Sequence, residues 1–530
     1  MSAAPRDQGT PRRDGYVIAD RPAVGTPRPY EFPMVADHRL PNGLRVLVVD
    51  LPGRPLVSAS LVLPVGAADE PPTEAGATVL AARALSEGTE HYDAMALTEA
   101  SERLGASLHA ESGWDALTAG VDVPADRLPA ALELLAELVL RPTFPAAEVE
   151  RLRDERLNDI LQAKADPRRR AEETFIGTIY APSAPYHRPA GGTQETIEAL
   201  TPATLRRAWA AGLDPRRATI VVGGDLGGQD VAAMVARLFE DWGDGSGIRP
   251  VAPIDDAPSA AGRLVRVVHR PGSVQTEIRI GHRGLRRRIP DFHALSVMSA
   301  ILGGLFNSRL NMKLREEKGY TYGASAGFDL RRAAGPFGAR AAVNTEVTVP
   351  AILDTLAELT RMRETTVTAT ELDAARDFLI GVFPLRFETA AAVVGALSGL
   401  VVHGLPVDEL IGYRARIEAV GVDSVADAAI AHLDVDHAAI VLVGDVDAFG
   451  AALEAEGLGT LVIEPDDVVG APGPALGAAA LEAADEASAA EPEALDADAD
   501  VGPTAGAEEP SLPGGSEAPV PADAAAGEAD

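Results

Sequence analysis

The sequence predicts an α+β protein made of two homologous lobes. Three observations predict it. Strand and helix signals alternate from about residue 36 to 463. Short matches recur along that stretch in one order, at a nearly constant offset of 219–223 residues. The acidic surplus is concentrated beyond it, in a segment with no sign of a core.

Taken in chain order, residues 1–35 are expected to form a flexible arm. Three Arg lie in the first thirteen residues and no apolar stretch accompanies them, so the arm does not read as a secretory signal. Residues 44–50 are an apolar, β-branched run behind the turn Pro41-Asn42-Gly43, and residues 56–65 are a second strand. Residues 130–140 are helical, because Ala131, Leu132, Leu135, Leu138 and Val139 fall on one face; Pro142 ends the helix. Residues 220–222 form a short strand closed by Gly223-Gly224-Asp225.

The repeat then appears. Pro52-Gly53 recurs as Pro271-Gly272, and Ala136-Glu137-Leu138 as Ala357-Glu358-Leu359. Glu148 with Arg153-Asp154 recurs as Glu371 with Arg376-Asp377, and Ile220-Val221 with Asp225 as Ile440-Val441 with Asp445. One such match means nothing, but four in the same order mark a duplication. The lobes are placed at 36–242 and 263–463, each of domain size. Residues 243–262, rich in Gly, Pro, Asp and Ala, are the linker. Residues 464–530 are an acidic tail. Residues 471–530 hold 14 acids, no Lys or Arg and no aromatic. Such a segment cannot bury enough apolar surface to offset chain entropy, so it is expected to be disordered. It either solvates the chain or docks a partner.

Composition narrows the function classes. The 530 residues suffice for several cores, and 46% hydrophobic residues is globular composition. The net charge is −32; taking the tail's 14 acids away leaves −18 for the rest. This balance disfavours nucleic acid and anionic membrane as partners, and no run of about 20 apolar residues spans a bilayer. A soluble, cytoplasmic protein is expected. Cysteine is absent, which excludes disulfides, thiolate catalysis and Cys-ligated metals. A metal would need His and carboxylates, yet among ten His there is no His-x-x-x-His; His432 and His437 are five apart.

The first lobe opens with Leu40-Pro41-Asn42-Gly43-Leu44-Arg45-Val46-Leu47-Val48-Val49, followed by Gly66 and Glu70. Together with the two-lobed length, this resembles the pitrilysin/insulinase family of zinc peptidases, the inverzincins, in their bacterial processing-peptidase-like branch. The resemblance implies that each lobe is a mainly antiparallel sheet with helices packed on it, and that one chain is half of a clam shell. Active members carry His-x-x-Glu-His on the first helix: two His bind zinc and the Glu activates water. Counting back from Gly88-Thr89 places Val79-Leu80-Ala81-Ala82-Arg83 on that motif. Val79 and Arg83 stand for the two His, and Ala82 for the Glu. Asp159, ahead of Ala165-Asp166-Pro167, stands nearest the third ligand, normally a Glu. The resemblance thus implies a non-catalytic chain with no metal of its own.

The second lobe keeps more. Phe306, Leu310 and Leu314 at spacing four read as the buried stripe of a helix, Gly319 as its C-terminal stop, and residues 320–328 as a strand with Tyr320 and Tyr322 on one face. Gly303-Gly304 read as a flexible lead-in to the helix. In the family, an Arg on this helix and a Tyr seven residues on hold the substrate backbone near zinc; Arg315 and Tyr322 match that spacing. A guanidinium offers five donors in a fixed fork and can support a developing oxyanion. The competing reading pairs Arg315 locally with Glu316 or Glu317 and packs the Tyr in the sheet. Lys318, Arg331, Arg332 and Arg340 read as a solvated face, or as a basic patch for acidic peptide segments.

The expected function is a non-catalytic, substrate-binding subunit of a heterodimeric zinc metalloendopeptidase. A homologous partner with His-x-x-Glu-His would supply the zinc, and peptides or unfolded segments would be the substrate. The alternatives are an inert scaffold homologue and a stand-alone peptide-binding protein.

Overall fold

The computed structural model describes residues 25, 29–243, 253–259 and 262–466. Two six-stranded sheets carry it. The first takes β1 (Val35–Arg39), β2 (Arg45–Asp50), β3 (Leu56–Leu63), β4 (Ser107–Ser112), β5 (Leu117–Pro124) and β6 (Thr219–Gly224) in the order β1-β2-β6-β3-β5-β4. The second takes β7 (Leu264–His269), β8 (Gln275–Arg283), β9 (Ala324–Phe328), β10 (Pro336–Asn344), β11 (Ala439–Gly444) and β12 (Thr460–Pro465) in the order β12-β7-β11-β8-β10-β9. The orders superpose strand for strand except at one edge. There β1 runs antiparallel to β2, whereas β12 runs parallel to β7. Most remaining neighbours are antiparallel; β2–β6 and β7–β11 are the parallel pairs.

The repeat seen in the sequence is a set of contacts. Asp225 Oδ2 accepts from the Gly53 N–H at 3.0 Å, and Asp445 Oδ2 from the Gly272 N–H at 2.8 Å. Each lobe therefore ties the turn joining the two strands that flank its central strand to the end of that central strand, through an equivalent carboxylate. Glu137 and Glu358, the other matched pair, are both buried against Arg141 and Arg361 respectively.

One face of each sheet is covered by its own lobe's helices. On the first sheet, Leu44, Val46, Ala59 and Leu61 pack with Leu132, Leu135 and Val139 of the helix Leu128–Leu140. The other face is covered by a helix from the opposite lobe. Helix Pro167–Ile179 places Phe175, Ile176 and Ile179 on Ala439 and Val441 of β11. Helix Ala390–Val402, offset by 223 residues, puts Val393, Val394 and Leu397 into one core with Leu47, Val49, Val62 and Val221. That helix is apolar nearly all round and mostly buried, with only Ala391 and Gly395 exposed. No single described helix is long and apolar enough to cross a membrane.

A polar network closes the lobes on each other. Arg332 donates to Asp69 Oδ2 (2.6 Å) and the Pro64 carbonyl (3.0 Å), while its own N–H donates to Asp115 Oδ2 (2.7 Å). Tyr186 donates to Asp115 Oδ1, and the Arg331 guanidinium lies over the Trp114 and Tyr186 rings at 4.8 and 4.6 Å. The solvated basic face expected around 331–332 is therefore wrong for these two residues. Arg331 is buried and Arg332 half-buried between the lobes, where Asp329, Asp69 and Asp115 compensate their charge.

Three segment boundaries shift. The flexible arm over 1–35 does not extend to its end, because Tyr30 and Phe32 dock on Phe383 and Phe387 at 5.1–6.2 Å; large aromatic area is held wherever a partner face exists. Within the expected linker, residues 253–259 are tied down: Ser259 N–H donates to Ile179 O, and Asp256 accepts from Arg283 and the Ala334 N–H. The acidic tail was placed from 464, yet β12 runs to Pro465 and Asp466 pairs with Arg270 at 2.7 Å. The rest of the tail and most of the arm and linker lie outside the described residues.

Candidate functional site

Residues Val79 to Arg83, the positions counted onto the family's metal motif, all lie on one helix. Helix Ala77–Ala84 runs into a 3-10 turn, Leu85–Glu87, ending before Gly88. Its start is held by Glu70, whose carboxylate accepts from the Gly76 N–H (2.8 Å), the Thr78 N–H (2.6 Å) and Thr78 Oγ1 (2.7 Å). Burial pushes this carboxyl up to about 7, although those bonds and Arg188 favour its charged form. Sequence reading took Glu70 only as part of an opening pattern. That it orients the motif helix is visible only once residues six to eight apart are folded together.

The four motif positions form no metal cage. Val79 is half-buried, Ala82 is buried in the first-lobe core, and Arg83 is exposed. The structure does bring Arg83 and Asp159 together: Arg83 Nη1 lies 3.4 Å from Asp159 Oδ2, and Arg156 Nη1 lies 3.9 Å from the same oxygen. Arg156 Nε also donates to the Gly191 carbonyl at 3.0 Å. Burial lowers the Arg156 pKa, with Arg83 and Arg169 adding to that and Asp159 opposing it. Zinc needs lone pairs, and a methyl, an isopropyl and a guanidinium supply none. These residues do not fit zinc; two guanidinium groups around one carboxylate stand in the motif's place.

Among the described residues, one further cluster has metal-ligand types: His269, Asp445 and Asp447, with ligand atoms within 4.8 Å of one another. Its atoms are already employed. Asp445 holds the Gly272 N–H and caps helix Val446–Glu456, and His269 Nδ1 accepts from the Val446 N–H.

In the second lobe the helical segment carrying Arg315 is π-helical, Asn311–Glu317. Leu310 and Leu314 are buried as expected, but Phe306 is 58% exposed and not part of the stripe. The Arg315 guanidinium covers it instead, 4.4 Å from the ring centroid. Gly319, at φ +63°, ends the segment: its N–H donates to Arg315 O, and the Tyr320 N–H to Leu314 O. The strand starts at Ala324, not 320, because Thr321 Oγ1 bonds Gly323 in a local turn. Tyr320 packs against the core while Tyr322 is 93% exposed, so the two do not share a sheet face. Arg315 and Tyr322 are not hydrogen-bonded to each other; the nearest anion to Arg315 is Glu316 Oε1 at 3.6 Å. Gly303 is not a flexible lead-in. A Cβ there would meet the Ala326 N at 2.2 Å, so this glycine lets β9 approach the chain.

Arg309 was not singled out by spacing. It is buried and forks onto Glu371 at 2.7 and 3.1 Å. Burial would raise the Glu371 carboxyl, but Arg309 and the Thr368 capping contacts outweigh it and hold it down at about 2.

Comparison with known proteins bears on the family and the fold. The model "Insulinase (Peptidase family M16)" matches residues 45–185, and "Peptidase M16 inactive domain" matches residues 199–379. Together they span more than half of the chain. A protein of Mycobacterium tuberculosis named an uncharacterized zinc protease is 27% identical over 68% of this chain and 82% of its own length. A Helicobacter pylori protein named as a non-peptidase homolog is 23% identical over 70% of this chain and 84% of its own. A solved peptidase M16 inactive domain from Pseudomonas fluorescens superposes with TM-score 0.71 at 27% identity, covering 78% of this chain and 98% of that one. A solved Helicobacter pylori protease has the same fold, with TM-score 0.72 at 19% identity over 78% of this chain and all of that one. The chain therefore belongs to the insulinase-type peptidase family M16, as a catalytically inert homologue.

Proposed function

We propose that this chain is the substrate-binding, non-catalytic subunit of a two-chain zinc metalloendopeptidase. The observation that carries the reading is a half-buried Arg315 and an exposed Tyr322, in a chain whose first-lobe helix carries no zinc ligand at Val79, Ala82 or Arg83. Half of an active site is useful only next to the other half. A homologous partner with His-x-x-Glu-His would hold the zinc and the water-activating Glu. This chain would close the chamber, and Arg315 and Tyr322 would donate to the carbonyl of a peptide or unfolded segment.

A second reading, an inert scaffold, is favoured by one observation. Arg315 already has local partners in Phe306 and Glu316, as a purely structural Arg would. Co-expression with an M16 homologue that keeps His-x-x-Glu-His separates the two. The expected result is a stable heterodimer burying more than about 1,000 Å². It should hold zinc only in the partner and cleave peptides faster than the partner alone. This chain by itself should bind no stoichiometric zinc. Separate monomers with no gain in cleavage on mixing would leave the scaffold reading standing.

A further inference from the structure

Helix Ala369–Val382 and the 3-10 turn Phe383–Phe387 that continues it carry two apolar faces. One is the core face, where Leu372, Ala375, Leu379, Phe383 and Phe387 are buried. The other lies on the opposite side, at Ala374, Phe378, Gly381 and Leu385, spaced four, three and four apart. Phe378 is 41% exposed and Leu385 61%. Gly381 is exposed as well, and Val382 beside it is half-buried. The duplication supplies a comparison. At an offset of 223 residues these positions fall on Arg151, Glu155, Asn158 and Gln162 of helix Ala146–Ala165, all exposed and all polar. Arg151 there pairs with Glu87, Glu148 and Glu155. One face of one duplicated helix is thus solvated in the first lobe and apolar in the second, so the fold itself does not demand apolar residues there. Exposed apolar side chains gathered on one stripe mark a contact surface.

The N-terminal end of the described chain docks on this same element. Tyr30 lies on Phe383 and Phe387, with ring centroids at 6.0 and 6.2 Å, and Phe32 lies on Phe387 at 5.1 Å. Phe383 and Phe387 bracket Leu385 in the turn. Residues 1–24 hold one run of large apolar residues, Tyr16-Val17-Ile18. Ile18 precedes Tyr30 by twelve residues. Extended, that length spans about 40 Å, against roughly 10 Å from Leu385 to Phe378 along the helix. A tether this short holds the run near the stripe at a local concentration on the order of millimolar, which favours it over a second copy of the chain. The acidic tail suits the stripe less well, because exposed Asp377 and Glu388 edge it and like charges repel.

We propose that this stripe is the docking site of the chain's own N-terminal segment, with Tyr16-Val17-Ile18 laid over Phe378, Gly381 and Leu385. A Cβ at Gly381 would meet nothing within 4 Å, so the stripe is open at its centre and a β-branched side chain fits there. The contact is apolar and continues the one that Tyr30 and Phe32 already make. The segment then straps the second lobe, running from β1 over the turn Phe383–Phe387 and along helix Ala369–Val382. The inference is independent of the subunit reading and holds for a scaffold equally.

The chain has no cysteine, so two introduced thiols report a single contact. In the full chain carrying Ala19→Cys and Gly381→Cys, a bismaleimide should link the two thiols within one molecule. Adding Tyr16→Ser, Val17→Ser and Ile18→Ser together keeps the tether length and should slow the linking about tenfold, since only the docking contact is lost. Phe378→Ser should slow it several-fold. Phe378 and Gly381 are exposed, so these variants should keep the parent melting temperature. The rate should hold at ~1 M salt, where the screening length is about 3 Å, because apolar contact is not screened. No link, a rate unchanged by the three serines, or a rate that collapses at high salt would overturn the proposal. So would linked dimers that outnumber linked monomers and form faster as protein concentration rises, which would make a second copy the occupant.

Discussion

Arg315 and Tyr322 differ in how they are held, and that sets what their removal should do. Tyr322 makes almost no contact, so Tyr322→Phe should leave the melting temperature unchanged. Arg315→Ala loses an exposed cation–π contact with Phe306, about 0.5–1 kcal/mol. Neither variant should unfold the chain. If both groups donate to a developing oxyanion in a complex with an active homologue, each loss should lower turnover roughly 100- to 1,000-fold. If they bind only the ground state, the Michaelis constant rises and turnover holds. Steady-state kinetics on the purified mutant complexes distinguish these outcomes, and wild-type constants in both would remove the catalytic contribution assigned to this chain. The seven-residue spacing was legible in the sequence. The exposure of Phe306 was not, because a spacing of four describes an α-helix and this segment is π-helical.

At the scale of an element, the motif helix depends on Glu70. Its folded pKa of about 7 lies above the usual 4.5, so the folded chain holds that proton more tightly than the unfolded chain does. Stability from this group is therefore greatest below pH 4.5, falls as pH rises through 7, and is flat above that. The loss is on the order of 3 kcal/mol. Glu371 acts in the opposite sense. Its folded pKa of about 2 gives stability that is full above pH 4.5 and lost as pH falls through 2. Urea unfolding between pH 4.5 and 8 should show the Glu70 slope, and Glu70→Gln should flatten it. The same variant should cost about 1–3 kcal/mol at pH 5, since an amide NH2 facing the Thr78 or Gly76 N–H leaves a buried donor unpaired. A slope unchanged by Glu70→Gln would assign the pH dependence elsewhere.

For the whole molecule, the lobes are one cooperative body because each sheet is roofed by the other lobe's helix and Arg332 fills the seam. Arg332→Ala leaves Asp69 and Asp115 facing each other without their cation. Burial already raises the Asp69 carboxyl even with Arg332 present. The expected cost is about 3–5 kcal/mol, read as a lower urea midpoint. A loss under 1 kcal/mol would show that the seam is solvated and the lobes separable.

What the sequence determined by itself follows from short-range chemistry. The strands at 44–50 and 56–65, the helix at 130–140, the duplication and the absence of metal ligands at Val79, Ala82 and Arg83 are all set by side-chain type and spacing. The duplication even marked true contacts, since Asp225 and Gly53 recur together as Asp445 and Gly272. Only the tertiary structure decided which of the charged and apolar groups are buried. Arg331 and Arg332 look like a solvated face until residues more than 200 positions away supply Asp69 and Asp115. Helix Ala390–Val402 is roof to the first sheet although it belongs to the second lobe's sequence. Burial is a property of what packs on a residue from elsewhere in the chain, and neither periodicity nor composition carries that information.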